Sequence, residues 1–232
     1  MNTSENYSQS IPVIRLGEQS RGQFISRTYN HLFSAIVAFT LIEVALFKSG
    51  LAEPMAKAML GTSWLLVLGG FILVSWMARG VAHRAESKPA QYAALAGYVV
   101  AQAIIFVPLL FIADKYAPGA ITSAAAITLV AFTVLTLVVF WTRKDFSFLR
   151  GILMWGGIVA LALIVGGVIF GFQLGTYFSV AMVALAGAAI LYDTSNVLHH
   201  YSEDRYVAAS LELFASVALM MWYVLRLLMS RR

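Results

Sequence analysis

Residues Ile190 to Arg226 read ILYDTSNVLHHYSEDRYVAASLELFASVALMMWYVLR. An apolar run ends in Asp193, a short polar turn follows, and a second apolar run begins with Glu212 inside it. Carboxylates at the facing ends of two successive hydrophobic helices are costly in a bilayer unless they pair, titrate or hold a cation. The stretch therefore reads as two membrane spans joined by a turn, with a place for chemistry between them. The rest of the chain reads as hydrocarbon arranged around that place.

Composition sets the class. Of 232 residues, 60% are hydrophobic and 12% charged, whereas soluble domains are roughly a quarter charged. Long uncharged runs at a mean hydropathy of +0.81 place the chain among polytopic, all-α membrane proteins. The net charge of +5 is not a nucleic-acid signal, because the Lys and Arg lie in short loops and tails, where they set orientation. Without cysteine, disulfides, thiol catalysis and Cys-ligated metal sites are excluded. The polar first ~30 residues lack the short apolar core of a cleaved signal peptide.

Outward from the opening stretch, the chain divides into a polar tail over residues 1–27, a transmembrane domain over 28–229 and a short basic C-terminus over 230–232. The spans are expected at about Thr28 to Phe47, Leu60 to Met77, Gln91 to Ile112, Ala120 to Trp141, Gly151 to Phe172, Tyr177 to Val197 and Val207 to Met229. Each is close to the ~20 residues that cross ~30 Å of hydrocarbon, and only helices close their own backbone hydrogen bonds there. Lys48 to Lys57 reads as the first turn, and Gly167 with Gly171 as a small-residue face suited to close helix contact.

With the N-terminus cytoplasmic, Arg15, Arg21, Arg27, Arg79, Arg84, Lys88, Arg143, Lys144, Arg150 and Arg205 lie inside. Lys48, Lys57, Lys115, Arg226, Arg231 and Arg232 lie outside. Ten against six favours this orientation, with a re-entrant seventh segment as the alternative. Asp193, Arg79 and Glu212 then share one depth, and Glu43 and Arg226 share another, where they would form an outer ion pair joining the first and seventh spans.

At TRKDFSFL (Thr142 to Leu149) and ILYDTSNVLH (Ile190 to His199) the chain resembles the Bax inhibitor-one, or transmembrane Bax inhibitor motif, family, and within it the bacterial YccA-like branch. The resemblance implies a bacterial inner-membrane protein whose seventh helix is wrapped by the other six. It implies either a proton-sensitive calcium leak or, for the bacterial branch, modulation of an AAA-type membrane protease. Carried over by position, Asp193 matches the first aspartate of the family's proton-sensitive pair, and Arg79, or its neighbour Ala78, matches the basic latch. The second aspartate does not carry over. Phe214 stands in its slot and Glu212 lies two residues earlier, about 200° around the helix at 100° per residue. Either Glu212 reaches the site from a shifted register or the paired device is absent.

Each candidate has a plainer reading. Asp193 is also a solvated helix-end aspartate, Glu212 also a side chain snorkelling to headgroups, and Arg79 also an orientation-setting loop residue. His199, His200, Glu203 and Asp204 match no zinc spacing, so no metal or cofactor is expected beyond calcium as a transported or bound ion. Catalysis is not expected either. Only His31 borders a span as a protease base, no GxSxG elbow is present, and the last span has no lysine for a Schiff base. Two functions of different class follow: a pH-sensitive cation leak centred on Asp193, and a non-catalytic modulator of a membrane protease. The expected partners are the lipid bilayer, calcium ions and protons, or such a protease. A solute permease ranks third, since little beyond Gln102 lines the midplane.

Overall fold

The computed structural model describes residues 12–230, which form eight helices and no strand beyond an isolated bridge between Pro12 and Ser202. The helices are α1 (Glu18–Lys48), α2 (Ala52–Gly61), α3 (Trp64–Arg84), α4 (Lys88–Tyr116), α5 (Ala120–Thr142), α6 (Leu149–Phe170), α7 (Thr176–His199) and α8 (Tyr206–Met229). All except α2 are long and apolar enough to cross a membrane, α8 together with the short turn before it. Seven spans therefore stand, as expected. Their outer faces carry exposed Leu66, Trp76, Trp141, Phe170 and Tyr177, an arrangement suited to lipid as the solvent.

The N-terminal segment departs from the expected tail. Helix α1 begins at Glu18 rather than near Thr28, and its 31 residues make it about 46 Å long at 1.5 Å per residue. Phe24, Thr28, Leu32 and Ala35 form its buried stripe. Val13 is fully buried, and its amide donates to the Tyr201 carbonyl at 2.8 Å. Residues 12–27 thus belong to the bundle, because a three-to-four-residue apolar period continues below the hydrophobic run. Residues 1–11, and the basic Arg231 and Arg232, lie outside the described residues. The expected first turn holds α2, whose Ala52 and Ala56 pack on Val107 of α4 while Glu53 and Lys57 pair at 2.7 Å on its open face.

Helix α8 is the axis of the bundle. It packs on α7, α5, α1, α4 and α3 and is buried along most of its length, whereas α6 buries only Ala160. Helix α6 leans mainly on α7 and touches α3, so a crevice opens between α3, α6, α7 and α8. Gly167 does not form the expected helix-contact face. A Cβ there would sit 3.1 Å from the Phe172 carbonyl, and Gly171 ends α6 in the left-handed region at φ +73°. The pair shapes a helix C-terminus, where glycine removes the Cβ penalty.

Candidate functional site at the α3, α7 and α8 crevice

The α1 start, the α3 end and the loops 85–87, 143–148 and 200–205 gather on one face of the bundle, which carries most of the basic residues. Arg205 donates to the Ala85 carbonyl at 2.7 Å, Lys88 reaches the Asp204 carbonyl, and the Phe146 amide donates to Ser195 at 2.9 Å. A cavity of about 1740 Å³ runs from these loops along α8 as far as Tyr223.

Asp193 of α7 and Glu212 of α8 both line this cavity, as does Arg79 of α3. Asp193 is buried, 9% exposed, and accepts a hydrogen bond from the Ser216 hydroxyl at 2.5 Å. Glu212 is held by two bases of α3: Arg79 Nη1 lies 2.8 Å from Oε2 and His83 Nε2 lies 3.1 Å from Oε1. Arg79 and His83 are four residues apart on their helix, as are Glu212 and Ser216 on theirs, so each pair shares a face. The two faces meet across the cavity, with Asp193 one helical turn deeper than Glu212.

This geometry corrects the register read from the sequence. The α8 residue facing Asp193 is Ser216, not Phe214, which is 2% exposed and packs edge-on against Phe39 and Tyr98. Arg79 makes its direct ion pair with Glu212 rather than Asp193. His83, Ser216 and Asp145 were missed as site residues. The helical spacing of His83 from Arg79 and of Ser216 from Glu212 was the available signal.

Asp145 explains why the TRKDFSFL and ILYDTSNVLHH stretches belong together. It accepts the Ser147 amide at 2.8 Å, pairs with His200 Nε2 at 2.9 Å and receives a long bond from Ser195 at 3.4 Å. Desolvation is the largest single influence and raises its pKa, but the Ser147 and His200 hydrogen bonds together outweigh it and hold the carboxyl below the usual range. Tyr201 stacks on His83 with ring centroids 6.0 Å apart, and burial pushes its hydroxyl well above the usual phenol range. Among the described residues, no three His, Asp or Glu side chains converge as a metal site.

The expected outer pair does not form. Arg226 donates to the Leu174 carbonyl at 2.9 Å and lies 5.9 Å from the Phe178 ring centre. Glu43 instead faces a separate pocket between α1, α4, α5 and α8, and neither of its oxygens has a hydrogen-bond partner. Arg226, on α8 itself, turns toward α7 and the loop before it, while Glu43 of α1 faces the pocket on another side of that helix.

Comparison with known proteins adds an independent line. The family described as Inhibitor of apoptosis-promoting Bax1 matches residues 21–232. A Pseudomonas aeruginosa protein, PA2604, described as uncharacterized, is 38% identical over 100 residues, 42% of this chain and 44% of that one. The Modulator of FtsH protease YccA of Escherichia coli is 34% identical over 91 residues, 39% of this chain and 41% of its own. Bax inhibitor 1 of Schizosaccharomyces pombe is 28% identical over 223 residues, 90% of this chain and 77% of its own. The match spans under half the length of the two bacterial relatives.

Proposed function

The chain belongs to the Inhibitor of apoptosis-promoting Bax1 family, and from that premise we propose that it is a proton-sensitive cation leak of a bacterial inner membrane, with calcium as the ion. The observation that carries this reading is Asp193 and Glu212 set in one wall of a large cavity, with Glu212 clamped to α3. The cavity mouth carries charges of both signs. Arg79, His83 and Glu86 come from α3 and its loop, Arg150 from α6, and His200, Asp204 and Arg205 from the α7–α8 turn. The basic face lies in the cytoplasm, following the excess of Lys and Arg.

Protonated, Asp193 adds no charge to the crevice, and Arg79 stays with Glu212. Deprotonated, Asp193 becomes a second anion competing for the same guanidinium, and like charges at this range repel. The tie between α3 and α8 weakens, and the crevice extends past Asp193. The test is calcium flux into proteoliposomes at about pH 6 and about pH 8, which a proton-sensitive gate distinguishes, with Asp193→Asn in parallel. Flux that depends on pH in the parent and not in the variant supports the leak. No flux above empty liposomes at either pH refutes it.

A second reading rests on two observations. A relative carries the name of a protease modulator, and a serine rather than a second carboxylate faces Asp193. In this reading the chain is a non-catalytic partner that restrains an AAA-type membrane protease. Deleting residues 1–11 separates the two, since residues 12–27 are part of the bundle and their loss would confuse folding with function. A modulator reliant on its N-terminus loses its effect on proteolysis, while a leak keeps its flux.

A further inference from the structure

The pocket that holds Glu43 has no part in the crevice described above. It occupies about 340 Å³, within the range of small-ligand sites. Its walls are apolar and aromatic, with Phe39 and Phe47 of α1, Phe106 of α4 and Phe214 of α8. Two acids line it, Glu43 and Asp114, and no Lys, Arg or His does. Glu43 is 7% exposed, and both of its oxygens lack a hydrogen-bond partner. A carboxylate withdrawn from water without a donor is an expensive feature to keep.

We propose that this pocket binds a hydrophobic organic ammonium, a protonated amine on an apolar body, with its N–H groups on Glu43. The chemistry follows from the lining. The ligand must supply positive charge and a donor to Glu43, fill an apolar volume, and suit aromatic faces that attract cations. A calcium ion is disfavoured, since it takes about six to eight oxygen ligands, the two carboxylates supply at most four, and the Thr40 and Thr128 hydroxyls are directed to the Ile36 carbonyl and the Met221 sulfur. A phosphatidylethanolamine headgroup is disfavoured, because its phosphate would sit close to both acids.

The test is equilibrium binding of radiolabelled N-benzylphenethylamine to the full chain in phosphatidylcholine nanodiscs, with benzyl phenethyl ether as the neutral competitor of the same shape. Saturable binding should weaken at least about tenfold in Glu43→Gln, as expected for a lost hydrogen bond to a charged group. Ala125→Phe, which fills the pocket and leaves the acid, should weaken it similarly, and the ether should not compete. Absence of saturable binding to the folded parent overturns the proposal. So does unchanged affinity in a folded Glu43→Gln, or displacement by the ether or by added phosphatidylethanolamine. If Glu43→Gln does not fold, Ala125→Phe and the ether still decide. None of these outcomes depends on whether the chain conducts calcium.

Discussion

Removing the carboxylate that ties α8 to α3 measures the latch directly. Glu212 is 15% exposed at its side chain and Arg79 45%, at an N···O distance of 2.8 Å, with His83 adding a contact at 3.1 Å. A fully buried charge stripped of its partner costs about 3–5 kcal/mol, and an exposed pair is worth about 0–1 kcal/mol. With Arg79 half open to the cavity, the cost falls between these limits. Glu212→Gln should destabilise the chain by about 2 kcal/mol, and Arg79→Ala, which leaves the acid with His83 alone, by about 2–3 kcal/mol. If the two act through one contact, the double variant loses about 2–3 kcal/mol rather than the sum, a coupling of about 2 kcal/mol. For a chain of this size each kcal/mol shifts the melting temperature by about 2–4 °C, so Glu212→Gln should melt about 4–8 °C lower. The assay is thermal unfolding in nanodiscs, followed by tryptophan fluorescence, on the parent, both single variants and the double. Calcium flux is read on the same four proteins, and both single variants should leak at the lower pH, where the parent is closed. Stability losses that add to within about 0.5 kcal/mol, with flux unchanged, would refute the latch.

Three further outcomes follow from other parts of the bundle. Asp145→Asn should lower stability at neutral pH, because a carboxyl held below its ordinary value of 3.8 stabilises the fold above that value. The difference between parent and variant should close as the pH of a melting series falls through the folded-state pKa, since the stabilisation is lost there. Gly171→Ala should cost about 1–2 kcal/mol, the penalty of a Cβ in the left-handed region, visible as a melting temperature about 2–8 °C lower. Ser216→Asp, which places a second carboxylate opposite Asp193, should fold and steepen the pH dependence of flux, while Phe214→Asp should fail to yield folded protein. The reverse pattern would restore the register in which residue 214 faces the site.

The spans were legible because each is a long run of one chemistry, and length against bilayer thickness needs no knowledge of neighbours. The fold of residues 12–27 was less so, because two buried positions, Val13 and Phe24, bind that segment to the bundle inside a polar composition. Its signal was present in the spacing of Phe24, Thr28, Leu32 and Ala35, which continues the stripe of the span. At the site, Asp193, Glu212 and Arg79 could be found because charge in a hydrophobic helix is conspicuous. Ser216 and His83 were harder to find, because their four-residue spacing from Glu212 and Arg79 gains meaning only once the phase of each helix against its partner is known.

Depth and phase are separate coordinates, and the two outcomes for acid–base pairing show the difference. Arg79 with Glu212 and Arg226 with Glu43 were both matched by depth alone. The first pair forms, and the second does not, since Arg226 leaves α8 toward Leu174 and Phe178, while Glu43 of α1 faces the pocket lined by Phe214, Val217 and Met221 of α8. Helix α8 itself presents two such sides. Glu212, Ala215, Ser216, Leu219 and Tyr223 line the large crevice, while Phe214, Val217, Ala218 and Met221 line the Glu43 pocket. These sets interleave at helical spacing, so residues one or two apart in sequence serve different cavities. A rotation of α8 large enough to part Glu212 from Arg79 therefore also turns Phe214 and Val217 against the aromatic wall of the other pocket. Close packing resists such a movement until both sides yield. The two cavities thus share α8 as a common wall.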